Sequence, residues 1–232
     1  MTSTPHAPAV ASTPTPATRV AFLHTGAVVI PPVMELVGEQ LPGLSTVNYL
    51  DDRIVADLAD PARQDSVPER LADLAAAAKS AGADVLMFTC SSISHLATST
   101  AEQAGIPVLR IDEAMADEAV AGGGRVTVLA TLPTTLNPTL ALLRERAGIA
   151  GTEPELTSEV IPGAFEAVAG GDRATHDQLV AEAIERHAPE SDVVVLAQAS
   201  MASAAEAAQV TVPVLTSLRP GISRLAERVQ AG

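Results

Sequence analysis

The chain repeats itself, and the repeat limits what it can fold into more than any other feature. Arg19-Val-Ala-Phe-Leu-His24-Thr25 is echoed by Arg125-Val-Thr-Val-Leu-Ala130-Thr131. Pro138 stands as far from Arg125 as Pro32 stands from Arg19. Ala83-Asp84-Val-Leu-Met-Phe-Thr-Cys90-Ser-Ser92 is echoed by Ser191-Asp192-Val-Val-Val-Leu-Ala-Gln198-Ala-Ser200, and Ile106-Pro107-Val-Leu109 by Val212-Pro213-Val-Leu215. The outer motifs recur after 106 residues and the cysteine stretch after 108. Any two βαβ units share some pattern, but a nearly fixed offset across these motifs points to internal duplication. The apolar runs read as strands buried on both faces. Strands that alternate with helices demand parallel sheets and right-handed crossovers. The expected fold is α/β, with two similar lobes at about 19–124 and 125–232. A pseudo-two-fold axis would relate them across a cleft.

Read in order, the first lobe has the pattern of a Rossmann-like unit. The strand from Arg19 ends at His24-Thr25-Gly26, and Pro31-Pro32 opens a helix, where proline is tolerated in the first turn. Thr46–Leu50 is a strand closed by Asp51, Asp52 and Arg53, and residues 54–66 read as a polar, irregular stretch with room for a short helix and a loop. Pro68–Ser80 reads as a helix, Val85–Phe88 as a strand, Ser94–Ala104 as a helix and Gly105–Leu109 as a short strand. Asp112–Val120 is a helix stopped by Gly122-Gly-Gly124. A phosphate-binding loop follows a strand, whereas these glycines precede one, so they read as an interlobe linker. Residues 1–18, rich in Pro, Ser and Thr, cannot bury enough apolar surface to offset their ordering entropy. They are expected to be a disordered tail, with His6 incidental.

Composition removes several function classes. Of 232 residues, 47% are hydrophobic, yet there are three Phe, one Tyr and no Trp. The core must be Val, Leu, Ile and Ala, and no aromatic platform is available to stack bases. The net charge is −14, and the fourteen Lys and Arg form no dense cluster, so a nucleic-acid partner is not expected. No run of eighteen apolar residues suggests a membrane span. The beginning of the chain lacks a basic n-region followed by an apolar h-region. A cytoplasmic protein without a membrane partner is therefore expected. One cysteine excludes an intrachain disulfide and a cysteine-based zinc or iron–sulfur site within one chain. The five histidines show no ligand spacing, so no metal site is expected.

That cysteine stands at a telling place. Val85–Phe88 runs into Thr89, Cys90, Ser91 and Ser92, and ligands of open α/β sheets bind beyond the carboxyl ends of the strands. Cys90 reads either as a small buried hydrophobe, as most free cysteines are, or as a reactive group at that crevice. The duplication adds that equivalent strand ends should face one cleft. Thr25 then answers Thr131 and Cys90 answers Gln198, one from each side of a ligand.

This layout resembles the aspartate/glutamate/hydantoin racemase superfamily from about Arg19 to the end of the chain. The resemblance rests on Thr89-Cys90-Ser91-Ser92, Thr131-Leu-Pro-Thr134, Asn48-Tyr-Leu-Asp51-Asp52 and Leu196-Ala-Gln198-Ala-Ser200-Met201. It implies an active site between the lobes, where one thiolate takes the α-proton of a small carboxylate and an opposed thiol returns one. No cofactor or metal is implied, and a homodimer is. Carried over by position, Cys90 matches the first catalytic cysteine. Thr25, Ser91, Ser92, Thr131, Thr134, Gln198, Ala199 and Ser200 match the substrate-binding positions. Gln198 stands where the second cysteine would be, and an amide has no titratable proton. His24 and Asp51, at two strand ends, are the candidate replacements as second acid or base. His95 follows Cys90 by five residues and need not share a helix face with it. Asp112, Glu113 and Arg219 read as surface or lobe-interface charges.

The chemistry differs with the direction of proton transfer. A free thiol has a pKa of about 8.5, and lowering it to about 7 takes roughly 2 kcal/mol of preference for the anion. A helix N-terminus supplies about 0.3–1 kcal/mol, so hydroxyls and backbone N–H groups would have to supply the rest. An ordinary thiol can still act as an acid. Three functions remain open from the sequence. One is a cofactor-independent isomerase working by proton transfer at the α-carbon of a small carboxylate, such as an amino acid. The others are a one-thiol decarboxylase or lyase on the same scaffold, and an inactive carboxylate-binding protein.

Overall fold

The structure is a computed structural model that describes residues 18–230. The expected tail and His6 lie outside the described residues, apart from Thr18. Strands β1 (Arg19–His24), β2 (Ser45–Leu50), β3 (Val85–Phe88) and β4 (Val108–Arg110) form a parallel sheet in the order β2-β1-β3-β4. Strands β5 (Arg125–Ala130), β6 (Glu155–Val160), β7 (Val193–Leu196) and β8 (Val214–Leu215) form a second, in the order β6-β5-β7-β8. The helices are α1 (Ile30–Gln40), α2 (Ile54–Leu58), α3 (Val67–Ser80), α4 (Ala97–Ala104) and α5 (Glu113–Ala121), then α6 (Pro133–Ala150), α7 (Ala164–Ala169), α8 (Arg173–His187), α9 (Ala202–Ala207) and α10 (Leu218–Gln230). The α/β fold with two similar parallel-sheet lobes is thus the one expected.

The repeat reaches the level of single bonds. Val20 pairs with Val85 across the first sheet as Val126 pairs with Val193 across the second. The Arg19 amide donates to Asp84 Oδ2 at 2.8 Å, and the Arg125 amide donates to Asp192 Oδ2 at 2.8 Å. Leu86 N–H meets the Pro107 carbonyl as Val194 N–H meets that of Pro213, each at 2.9 Å. These carboxylates fasten the entry of β3 or β7 to that of its neighbour, which sets the register of the strands whose far ends carry Cys90 and Gln198.

Side chains alternate across the sheets, as period 2 requires. Ala21, Leu23, Leu86 and Phe88 meet Leu71, Ala75 and Ala78 of α3 on one face of the first sheet. Val20, Phe22, Val85 and Met87 meet Val33 and Val37 of α1 on the other, together with Leu218, Ile222 and Leu225 of α10. In the second sheet Val126 and Val128 meet Leu142 and Leu143 of α6, and also Met115, Ala116 and Ala119 of α5. Val180 and Ile184 of α8 cover the opposite face. Each lobe therefore lends a helix to its neighbour: α5 leaves the first sheet to cover the second, and α10 returns from the second to cover the first. Alanine-rich helices with so few aromatics let the layers approach closely, as close packing demands.

One local expectation is corrected. The segment after Cys90 starts as a 3-10 helix over Ser91–Leu96 and becomes α-helical only at Ala97. Pro138, which matches Pro32 in sequence, lies inside α6, while Pro133 opens that helix. No helix among the described residues is long and apolar enough to cross a membrane.

Candidate active site

The carboxyl ends of β1, β3, β5 and β7 converge on a cavity of about 170 Å³ between the lobes. Cys90 leaves β3 in extended conformation (φ −133°, ψ 122°) just before its 3-10 turn. Gln198 leaves β7 in the same way (φ −126°, ψ 140°) before the turn Ala199–Met201. Their anchoring bonds correspond. Thr89 N–H donates to the Leu23 carbonyl at 3.1 Å, and Ala197 N–H donates to that of Leu129 at 2.9 Å. Ile93 N–H meets the Cys90 carbonyl at 3.2 Å, and Met201 N–H meets the Gln198 carbonyl at 3.0 Å. The two side chains thus occupy equivalent places on opposite walls, and both line the cavity.

The two walls differ chemically. Burial pushes the half-buried Cys90 thiol above the usual thiol range. The Thr25 hydroxyl and the N–H and hydroxyl of Ser92 work in the opposite direction, and a charge on Asp112 adds to the rise. The thiol is therefore the resting form at neutral pH. Across the cavity, Gln198 is folded onto Thr131. Its Oε1 accepts from the Thr131 N–H at 2.6 Å, and its Nε2 donates to Thr131 Oγ1 at 2.7 Å. The pair Gln198–Thr131 repeats the pair Cys90–Thr25 with an amide in place of the thiol.

Most of the expected residues line this cavity: Thr25, Cys90, Ser91, Ser92, Gln198, Ala199 and Ser200. Thr131 is buried behind Gln198 and does not line it. Thr134 does not line it either, and its Oγ1 is buried without a partner. Consecutive residues of a helix point about 100° apart, so α6 turns Thr135 into the cavity instead. Thr135 Oγ1 meets Ser92 Oγ at 3.1 Å, a bond from lobe to lobe.

The candidate second acids or bases are not brought to the cavity. His24 is fully buried, with Nε2 on Asn48 Oδ1 at 2.8 Å and Nδ1 on Thr89 Oγ1 at 2.8 Å. Burial lowers its pKa against the Asn48 bond, so it is a neutral imidazole with both nitrogens engaged. Asp51 is tied to Arg70, which also holds Asp57. His95 is exposed and outside the cavity lining. Asp112 is the main correction among the charges. It is fully buried and takes the Ser94 hydroxyl at 2.8 and 2.9 Å on its two oxygens. Burial raises its pKa, against the hydroxyls of Ser94 and Ser91. It sits behind Ser91 rather than at the surface.

Sequence reasoning missed Thr135, Ser217, Phe165, Val28, Val29, Val55 and Leu132, which also line the cavity. The repeat could have found Ser217, which precedes α10 as Asp112 precedes α5. Helical phase could have chosen Thr135 over Thr134. Phe165 answers Val55, since α7 follows β6 as α2 follows β2, but the two segments share no sequence motif that marks them. Among the described residues, no three His, Cys, Asp or Glu side chains are grouped closely enough to hold a metal ion.

A family model described as Asp/Glu/hydantoin racemase matches residues 32–224. No curated protein matches the sequence. Among solved structures, a glutamate racemase isoform from Bacillus anthracis superposes with a TM-score of 0.72 at 18% identity, over 92% of this chain and 82% of that one. An aspartate racemase homologue from Pyrococcus horikoshii gives a TM-score of 0.70 at 17% identity, over 92% and 99%. An arylmalonate decarboxylase gives 0.55 at 21% identity, over 92% and 93%.

Proposed function

The chain belongs to the Asp/Glu/hydantoin racemase family, and we propose that it is a cofactor-independent enzyme in which Cys90 alone gives a proton to the α-carbon of a small carboxylate. The observation that carries this reading is the unequal pair of walls. One presents a thiol kept neutral by burial, the other an amide locked by two hydrogen bonds. Racemisation needs a base on one face and an acid on the other. Among the described residues, the only titratable side chain lining the cavity is an acid. A reaction that creates a carbanion without deprotonation fits better, and decarboxylation is the simplest. The bond between Cα and one carboxylate breaks, carbon dioxide leaves, and the electron pair stays on Cα, delocalised into the retained carboxylate. Cys90 Sγ–H then gives its proton to Cα, and the thiolate regains one from water.

The hydroxyls of Thr25, Ser92 and Thr135 would hold the retained carboxylate as its charge grows, the kind of preorganised donor set that stabilises an enediolate. Two-lobed scaffolds of this shape carry racemases and a decarboxylase alike, so the fold does not choose between them. The isomerase reading has family membership in its favour. It would require ionisation of Cys90 against burial, and a proton carrier on the side of Gln198. The expectations of a cytoplasmic location, of no metal, and of a homodimer belong to the same proposal; light scattering in solution tests the dimer.

Proton NMR in deuterium oxide tests the choice of reaction. Prochiral malonates with small substituents should lose carbon dioxide and gain one deuteron at Cα. Enantiopure monoacids that exchanged their α-proton with inversion would favour the isomerase. Acids that bind without any turnover would favour the binding protein. Gln198→Cys should add slow exchange and inversion of the monoacid product, because it restores a proton carrier on the second wall.

A further inference from the structure

We propose that the substrate carries a hydrocarbon α-substituent and no ammonium group, so that its class is the non-amino carboxylic acids. The inference deepens the reading of Cys90 as proton donor and rests on it. Thr25, Ser91, Ser92, Thr135 and Ser217 offer hydroxyls, but among the described residues no Asp, Glu, Lys, Arg or His lines the cavity. A desolvated ammonium group needs a negative charge beside it; neutral hydroxyls that also have to hold the substrate carboxylate offset the cost of its burial only in part.

Two of the stronger acceptors near the wall are already engaged. Gln198 Oε1 takes the Thr131 N–H at 2.6 Å. The Ser200 carbonyl takes Arg173 Nη1 at 2.6 Å. The nearest carboxylate, Asp177, lies in the adjoining pocket and faces Arg173 there at 3.8 Å; its Oδ1 also receives the Ser203 hydroxyl at 3.0 Å and His176 Nδ1 at 2.7 Å. Val28, Val29, Val55, Leu132 and Phe165 give the same cavity an apolar wall. Val28 and Phe165 are among the few large hydrophobic residues left exposed, at 69% and 37%. Apolar side chains that stay open to solvent at a cavity gain most when a ligand covers them. A carboxylate on the hydroxyls and a hydrocarbon on the valines satisfies both sides. A zwitterion leaves its cation unpaired against the apolar wall.

The test compares two acids that differ by one group, 2-methylbutanoate and 2-aminobutanoate, in which a methyl is exchanged for an ammonium. Binding to the full-length wild-type protein is read by NMR titration and by protection of Cys90 from iodoacetamide. The hydrocarbon acid should bind at least tenfold more tightly. Phe165→Asp, which places a carboxylate at the cavity, should narrow that ratio at least fivefold. Equal or tighter binding of 2-aminobutanoate to the wild type overturns the proposal, and so does failure of both acids to bind; neither result depends on the variant. The ratio reports binding alone. If it fails while Cys90→Ser abolishes turnover, the substrate class is wrong and the proton-donor role stands. If Cys90→Ser turns over at the wild-type rate, that role is wrong whatever the ratio.

Discussion

At the scale of single residues, the site turns on one exchange, glutamine for thiol at the second strand end. Gln198 and Cys90 could be paired from the sequence because the motifs around them match. The sequence could not show that Gln198 grips both the N–H and the hydroxyl of Thr131. That grip removes Thr131 from the cavity, where the resemblance had placed it. Asp112 was misread for a related reason: a charged residue beside a helix start looks solvated in sequence, whereas here α5 buries it beneath Ser91 and Ser94. Its pH dependence follows from the direction of its shift. The folded carboxyl holds its proton more tightly than the unfolded one, so the stability tied to that proton is fully present below the unfolded pKa of about 3.9. It is lost as pH rises through the raised folded value. Paired carboxylates such as Glu145, held low by Arg110, act in the opposite sense. The difference between wild type and Asp112→Asn isolates the buried group. In urea unfolding, the wild type should lose stability relative to Asp112→Asn as pH rises from 4 to 7; a difference constant with pH would contradict the assignment.

At the scale of elements, strands were more legible than helices. The buried apolar runs and their repeat announced the strands that carry the site, because a strand buried on both faces leaves a continuous apolar signature. The partners of the helices were not legible, since an amphipathic pattern does not say which sheet it will cover. Helix α10 is the clearest case. It follows the second sheet in sequence, yet it packs on the first through Leu218, Ile222 and Leu225. Its approach is set by Gly221, where an added Cβ would come within 2.2 Å of the Ile111 carbonyl oxygen. No side-chain rotation relieves a contact with backbone. Gly221→Ala is expected to cost about 1–3 kcal/mol, the usual range for overpacking, measured by chemical unfolding. Because Ile111 adjoins Asp112 and Ser217 begins the same turn, the variant should also weaken carboxylate binding.

At the scale of the whole molecule, the exchanged helices and a charge network join the lobes. Arg110 at the end of β4 pairs with Glu113 of α5 and Glu145 of α6, and these pairs hold its guanidinium well above the usual range. Arg146 and Arg224 converge on Asp117 of α5 from α6 and α10. The division at 124/125 is therefore proposed as one of sequence repeats rather than of independently folding units. Calorimetry of the full chain should show a single transition, and residues 19–124 alone should not fold, because α1 and the first sheet would lack α10. The duplicated fold brings two equivalent strand ends to one cleft, and only one of them bears a proton that can be transferred. Protonation should accordingly come from one face. The most direct measurement is the configuration of the product formed from 2-methyl-2-vinylmalonate in deuterium oxide, by wild type and by Cys90→Ser. The wild type should give 2-methylbut-3-enoate of a single configuration with one deuteron at Cα, and Cys90→Ser should slow its formation at least a hundredfold. Racemic product from the wild type, or an undiminished rate in Cys90→Ser, would contradict the assignment of Cys90 as the sole proton donor.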